Sequence, residues 1–135
     1  MAITLGAITL PAGLRWIDEL DWSPTVQSID YTVVGALIVQ EGVRLAGRPI
    51  TLVGGIDFIR ITRANLLTLA AALDAAAAGI TLTLHDARTF SVLPRRDESA
   101  GPLSAHPVPI VLDSGPANPA TTTLYYIEAI RLIAI

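Results

Sequence analysis

Cysteine and lysine are both absent from this 135-residue chain. Without cysteine there is no disulfide framework, no thiolate zinc site and no cysteine nucleophile. That absence fits a cytosolic origin. Without lysine, all nine basic residues are arginine. Genomic base composition is the plainer source of this bias, but the physical consequence holds either way: planar arginine forks suit buried or interface pairing better than an ammonium does. Charge is scarce overall, at 16% of residues with a net charge of −3, so there is no electrostatic footprint for general nucleic-acid binding, and no specific nucleic-acid partner is expected.

Long hydrophobic runs are missing too. A membrane-spanning helix needs ~20 mostly apolar residues. The best stretch, residues 66–84, contains Asp74 and a helix-stopping Gly79, and the run 33–39 is far too short. No basic region precedes the apolar N-terminal stretch, whose first charge is Arg15; this argues against a signal peptide. A mature secreted chain is compatible with the same residues.

What the chain has instead is apolar surface. Hydrophobic residues make up 52% and mean hydropathy is +0.57. A chain of this length is most simply one domain with a real core, yet a lone small domain has a large surface to cover with polar groups. The surplus must meet a membrane, a partner or another copy, and the absence of a spanning segment makes the membrane the weakest choice.

The pattern predicts strands almost throughout. Residues 2–10 alternate as a strand or extended arm, with residues 1–13 a candidate N-terminal arm ended by Pro11 and Gly13. Residues 14–24 carry Trp16, Trp22 and three acids, and read as a loop or strand edge. Residues 26–40 read as one long β run, with Gly35 marking a bulge or bend. Gln40-Glu41-Gly42 reads as a turn and residues 43–45 as a short return. Gly47-Arg48-Pro49 reads as a tight corner, since Arg48 precedes a proline and is pushed toward extended geometry. Residues 50–53 make the next strand, closed by Gly54-Gly55, and Phe58-Ile59-Arg60-Ile61 leads into a helix.

That helix has Thr62 as N-cap, an apolar stripe at Leu66, Leu69, Ala70 and Leu73 widened by Leu67, and Gly79 as its stop. Residues 80–85 alternate strictly, Asp86-Ala87 turns, and residues 88–93 return as a hairpin. Residues 94–106 read as a mobile polar loop, residues 108–112 as a strand and residues 113–120 as a turn cluster. Residues 121–135 read as a strand apolar on both faces, its end clamped in a sheet or covered by a neighbouring subunit. The expected fold is mainly β with one α-helix: an antiparallel sandwich or barrel with a flanking helix, in a single domain over residues 1–135.

Catalytic chemistry finds little footing. His85-Asp86 with the distant His106 matches no dense metal motif, and ordinary surface histidines are the better reading. Asp18, Glu19 and Asp21 beside two tryptophans could suggest a sugar site. Alternation separates Asp18 from Glu19, so a solvated or partner-facing edge fits better. Gly54-Gly55 lacks the lysine and hydroxyl of a phosphate loop. Arg95-Arg96 is balanced by Asp97-Glu98, and no serine stands in a nucleophile elbow. No catalytic residue, metal or cofactor is expected.

The order of motifs resembles the small tail-completion or tail-tip (baseplate) proteins of long-tailed phages and prophages, of the kind found in Mu-like siphophages. The motifs are Trp16-Ile17-Asp18-Glu19 with Trp22, Gln40-Glu41-Gly42, and Ala46-Gly47-Arg48-Pro49-Ile50-Thr51-Leu52. They continue with Thr62-Arg63 opening the helix, the hairpin at residues 82–86 and Tyr125-Tyr126 in the closing strand. Phe58 stands where an aromatic, often tryptophan, is expected, and Asp86-Ala87-Arg88 where Asp-Gly-Arg is expected. The resemblance implies a tail-tube-like fold and a structural, non-enzymatic role in the virion tail, with synthesis in the host bacterial cytoplasm. Subunits of this type close into rings that join the tail tube to distal tip components. The implied partners are further copies, with six-fold order as default and three-fold next, together with tail-tube and other tail-tip proteins.

Interface or structural residues on this reading are Trp16, Trp22, Arg48, Pro49, Tyr125, Tyr126, Ile133 and Ile135. The tryptophans are expected as core residues or interface anchors, and Arg48 as the donor of a structural ion pair or carbonyl contacts at the corner. The competing expectation is a small β-barrel module for an apolar ligand or a carbohydrate, with Trp16 and Trp22 as stacking platforms.

Overall fold

Eleven residues near the C-terminus, Leu124–Ala134, form the strand that every other layer of the body leans on. The computed structural model describes residues 2–11, 13–55, 60–75, 78–96, 101–108 and 119–135. In chain order the elements are β1 (Thr4–Leu5), β2 (Ile8–Thr9), β3 (Arg15–Trp16), β4 (Thr25–Tyr31), β5 (Leu37–Val43), β6 (Pro49–Val53) and β7 (Arg60–Thr62). Then come α1 (Arg63–Ala75), β8 (Ile80–Thr83), β9 (Thr89–Pro94), β10 (Leu103–Pro107) and β11 (Leu124–Ala134). Nine strands make one antiparallel sheet ordered β2-β1-β8-β9-β11-β6-β3, with β10 and β7 also paired to β11. Among the described residues β4 and β5 pair only with each other.

Both edges of β11 are paired along most of their length. On one side β10 covers residues 125–130 and β9 covers residues 132–134. On the other side β7 covers residues 124–126 and β6 covers residues 129–133. The apolar run that reads as two buried faces has a different origin. The register shifts between Ser104 and Ala105, so Glu128 bulges out of the β10 pairing. An extra residue reverses the alternation. Tyr125 and Ile127 before the bulge, and Ile130 and Leu132 after it, therefore all enter one core.

The sheet is curled. Its edge strands β2 and β3 are six steps apart in the order, ~29 Å if the sheet were flat at ~4.8 Å per step. Thr9 and Arg15 are joined by a chain that spans at most ~21 Å when fully extended. The edges must bend toward each other, and Leu10 and Leu14 on the connecting segment are buried. The barrel is not closed. Inside the curl, Leu66, Leu69 and Leu73 of α1 meet Ile50, Leu52, Ile61, Leu82, Leu84 and Val92. Thr62 caps α1, its hydroxyl accepting the Asn65 N–H at 3.5 Å. Arg96 donates to the Leu73 carbonyl near the other end at 2.7 Å. Leu67 is exposed and does not widen the stripe.

The antiparallel β architecture with one helix, the hairpin of β8 and β9 and the Thr62 start are as the sequence predicts. Several local readings change. Residues 2–10 do not reach out as an arm: Gly6, at φ 61°, breaks them into the β1–β2 hairpin, and Ile3, Leu5 and Leu10 are core. Gly35, at φ 85°, is neither bulge nor bend within a strand but part of the turn joining β4 to β5. Gln40, Glu41 and Gly42 lie inside β5 instead of turning. Within the loop expected at 94–106, Pro94 ends β9 and residues 103–106 belong to β10, held by pairing to β11. Residues 56–59, 97–100 and 109–118, which include parts of the expected Phe58 run, polar loop, strand and turn cluster, lie outside the described residues.

The β8–β9 turn carries a local strain. Leu84 N–H bonds to the Arg88 carbonyl at 2.9 Å and Ala87 N–H to the Leu84 carbonyl at 3.0 Å. This is a three-residue hairpin loop whose last residue must be left-handed. Ala87 takes that position at φ 70°, where its Cβ crowds the next carbonyl. Ala87→Gly is expected to raise stability by about 1 kcal/mol, read as a higher denaturation midpoint at unchanged slope. A lower midpoint would show that the turn gains more from the Ala87 side chain than it loses to strain.

Candidate functional site

A β-ribbon of two seven-residue strands, β4 and β5, projects from the body with every residue of both strands exposed. Its register sorts the side chains into two faces. One face pairs Tyr31 with Leu37, Ile29 with Val39, Gln27 with Glu41 and Thr25 with Val43. The other carries Val26, Ser28, Asp30, Ile38, Gln40 and Gly42. On the first face Tyr31 is 73% exposed, Leu37 56%, Ile29 55% and Val39 45%. Val33 and Val34 at the tip are fully open to solvent. Twelve of the fifteen exposed large hydrophobic side chains among the described residues lie between positions 17 and 45. The apolar surplus of the composition is thus gathered largely in one place.

The ribbon stands on a braced base. Its legs are bridged where the Arg44 N–H meets the Pro24 carbonyl at 2.6 Å. The second brace is Arg48, which follows the ribbon in sequence and reaches back to the segment before it. Its Nη2 donates to the Glu19 carbonyl at 2.7 Å. Its guanidinium lies 4.7 Å from the Trp16 ring centroid, 5.7 Å from that of Trp22 and 5.9 Å from that of Phe90. Trp16 meets Phe90 edge-on at 5.6 Å. Asp18 completes the brace, since its carboxylate accepts both the N–H and the hydroxyl of Thr51, each at 3.0 Å. Glu19 and Asp86 both bind Arg88, which also sits 5.5 Å from the Trp16 ring. The acidic cluster of the sequence is therefore spent on structural contacts, apart from the exposed Asp21. A cleft of about 300 Å³ opens beside this base, with Trp16, Glu19, His85 and Arg88 around Leu14 and Leu52.

No protein-family model, curated protein or solved structure matches the chain.

The residues singled out from the sequence divide into three places. Trp16, Trp22 and Arg48 come together in the brace; the tryptophans are half-buried, and both face the guanidinium rather than standing clear as stacking platforms. Pro49 opens β6 directly across from Ile133, which lies between β6 and β9. Ile135 is half-exposed at the end of β11 and holds a backbone bond to Ser91 at 2.9 Å. Gly79, at φ 105°, makes room for it: a Cβ there would lie 3.0 Å from the Ile135 Cδ1. Tyr125 and Tyr126 sit at the far end of β11. Tyr125 is buried, with its hydroxyl accepting from Arg63 at 2.8 Å. Tyr126 leans on His106, whose Nε2 lies 3.0 Å from Glu128.

His85 and His106 lie toward opposite ends of β11, so they form no joint site. Among the described residues no three histidine or acidic side chains gather as metal ligands. No helix there is long and apolar enough to cross a membrane. The apolar residues of the ribbon are the ones sequence reasoning missed as a group. Their signal was the surplus itself, concentrated over residues 26–45.

Two outcomes follow for the base. Arg48→Ala is expected to destabilise the fold by about 2 kcal/mol, the range for a charged hydrogen bond to a part-buried carbonyl. Arg48→Lys should recover less than half, because an ammonium lacks the planar fork. Thermal unfolding of the two variants checks both, and full rescue by lysine would overturn the fork argument. For Asp86, desolvation is the largest single influence and pushes its carboxyl up. The Arg88 backbone and side-chain hydrogen bonds, with the charges of Arg88 and His85, outweigh it, and the net shift is below the usual carboxylate value. A depressed folded pKa adds stability that is present above the unfolded value and lost as pH falls through the folded one. Asp86→Asn should thus lower the melting temperature slightly at neutral pH, and the difference should vanish as pH falls through the folded pKa, below the usual carboxylate range.

Proposed function

We propose that the protein is a non-enzymatic structural subunit of a phage tail tip, assembling as a ring that joins the tail tube to distal tip components. The observation that carries this reading is the braced apolar ribbon. A two-stranded hairpin is marginal at best in water without something to pack on, and this one leaves its apolar face open. A braced element with that surface serves as a docking device, since the brace limits the freedom it must lose on binding. The family half of the reading rests on the resemblance of the Ala46–Leu52 block, together with Trp16, Trp22 and the motifs that follow, to tail-tip proteins. The geometry adds a use for that block, because Gly47-Arg48-Pro49 is the corner where the ribbon returns to the sheet.

In this role the chain acts by shape and apolar contact, needs no cofactor and meets its own copies first. Six-fold order is the default and three-fold the next. The subunits would be made in the host cytoplasm and end in the virion tail.

The test uses the Pro24–Arg44 bridge. Replacing residues 25–43 with a short Gly-Ser turn leaves the legs already closed, so the body is expected to keep its thermal unfolding transition. Native mass spectrometry is expected to give a discrete ring for the parent chain and a monomer for the shortened one. Negative-stain images of purified tails should place the parent at the tube end. A parent chain that stays monomeric at about 100 μM and is absent from particles sinks the reading.

A further inference from the structure

We propose that the ribbon of one subunit lies along β2 of a second copy and seats its apolar face in the groove between β2 and α1. This rests on the self-assembly part of the reading above and names the receiving surface. The first argument is area. At roughly 100 Å² of apolar surface per fully exposed aliphatic side chain, the nine exposed large apolar residues of the ribbon and its turn, between Val26 and Val43, present about 600 Å². The largest apolar patch of an ordinary monomer is ~300–600 Å². One partner's share of a standard stable interface is ~800 Å². The ribbon therefore matches the largest patch of an ordinary monomer and supplies most of one partner's share of such an interface, and every residue of its two strands is exposed.

The second argument is chemical match. The groove beside β2 has a volume of about 500 Å³ and is lined by Leu5, Ile8, Ala72, Ala75, Ala78 and Ile80, with two glycines and a further alanine and no charged side chain. The outer half of the ribbon face, with the Ile29–Val39 and Tyr31–Leu37 pairs, is equally free of charge, since Asp30 points to the opposite face. Desolvating a charge against an apolar wall is costly. An uncharged ribbon end and an uncharged groove avoid that cost.

The third argument is the backbone. β2 ends the nine-stranded sheet, and among the described residues it is bonded only to β1. β4 and β5 each have one open edge, because among the described residues they bond only to each other. Ile8 and Thr9 carry no charge or proline to guard the β2 edge. Adding a strand there gains main-chain hydrogen bonds while the side chains fill the neighbouring groove. Ribbon and groove are different patches of one chain, so the contact is head-to-tail, which closes as a ring or runs on as a filament.

Two variants split the contact. Leu37→Glu with Val39→Glu spoils the ribbon and leaves the groove. Ala75→Arg with Ala78→Arg, both at exposed positions, blocks the groove and leaves the ribbon. Thermal unfolding first establishes that each folds as the parent does. In native mass spectrometry the parent is expected to assemble, each variant alone to be monomeric, and an equimolar mixture to give a one-to-one dimer and nothing longer. A groove variant that assembles like the parent, or a mixture without the dimer, overturns this inference while the tail reading survives. A monomeric parent instead removes the self-assembly reading beneath it. The cysteine-free chain permits an independent readout. Leu37→Cys with Ala75→Cys should oxidise to a ladder of linked subunits, which neither single variant can form. Its absence in an assembling protein counts against the proposed contact.

Discussion

A two-stranded β-ribbon has no interior. Whatever apolar side chains it carries stay wet on both faces until a second surface covers them. In the body of this protein the problem is solved from within: β11 is paired along both edges, and α1 fills the hollow of the curled sheet. The ribbon is the part left over. Its cost is borne by the same chain that braces it, through Arg48 and the Pro24–Arg44 bridge. A flexible apolar hairpin would collapse onto the nearest surface, including its own body. A braced one is kept apart and available.

The arginine-only composition takes on meaning at this level. Arg48 combines a carbonyl bond with two tryptophan rings. Arg63 reaches the Tyr125 hydroxyl, Arg96 the Leu73 carbonyl, and Arg131 both the Gly101 carbonyl and the Ser104 hydroxyl through one nitrogen. Arg88 holds two carboxylates. These guanidiniums tie irregular segments to regular ones, and several do so with planar geometry that an ammonium cannot copy. Whatever fixed the codon usage, the fold has come to depend on the fork.

Legibility from the sequence followed the length and contrast of each signal. The helix was readable because Leu66, Leu69 and Leu73 keep its period and Thr62 marks its start. The β8–β9 hairpin was readable because Ile80, Leu82 and Leu84 alternate strictly against polar residues. The ribbon was not readable as two strands. Its turn, Thr32-Val33-Val34-Gly35-Ala36, is almost as apolar as its strands, so only Gly35 punctuates it. β10 reads as loop in the sequence because Ser104 and His106 are polar and Pro102 and Pro107 bracket them. The β1–β2 hairpin has two-residue strands, too short for periodicity to register. The bulge at Glu128 is invisible locally, because both phases of β11 are apolar and only the partner strand shows where one gives way to the other. The Arg48 corner was legible as a corner from Gly47 and Pro49. Its three aromatic partners come from distant positions, which spacing along the chain cannot reveal.

The brace also bears on assembly geometry. If ribbon and groove meet head-to-tail, the rotation between neighbours is set by the angle at which the ribbon leaves its own body, because the groove is fixed between β2 and α1. That angle is held where Arg48 ties the returning leg to Glu19 and where Asp18 holds Thr51 of β6. The contact surface and the ring order then reside in different residues. On that proposal, substitutions on the ribbon face would change whether subunits join, and substitutions in the brace would change how many close the circle. In such an assembly the polar contacts at the base of the ribbon would act as its protractor, and affinity and symmetry would be set by different stretches of the chain.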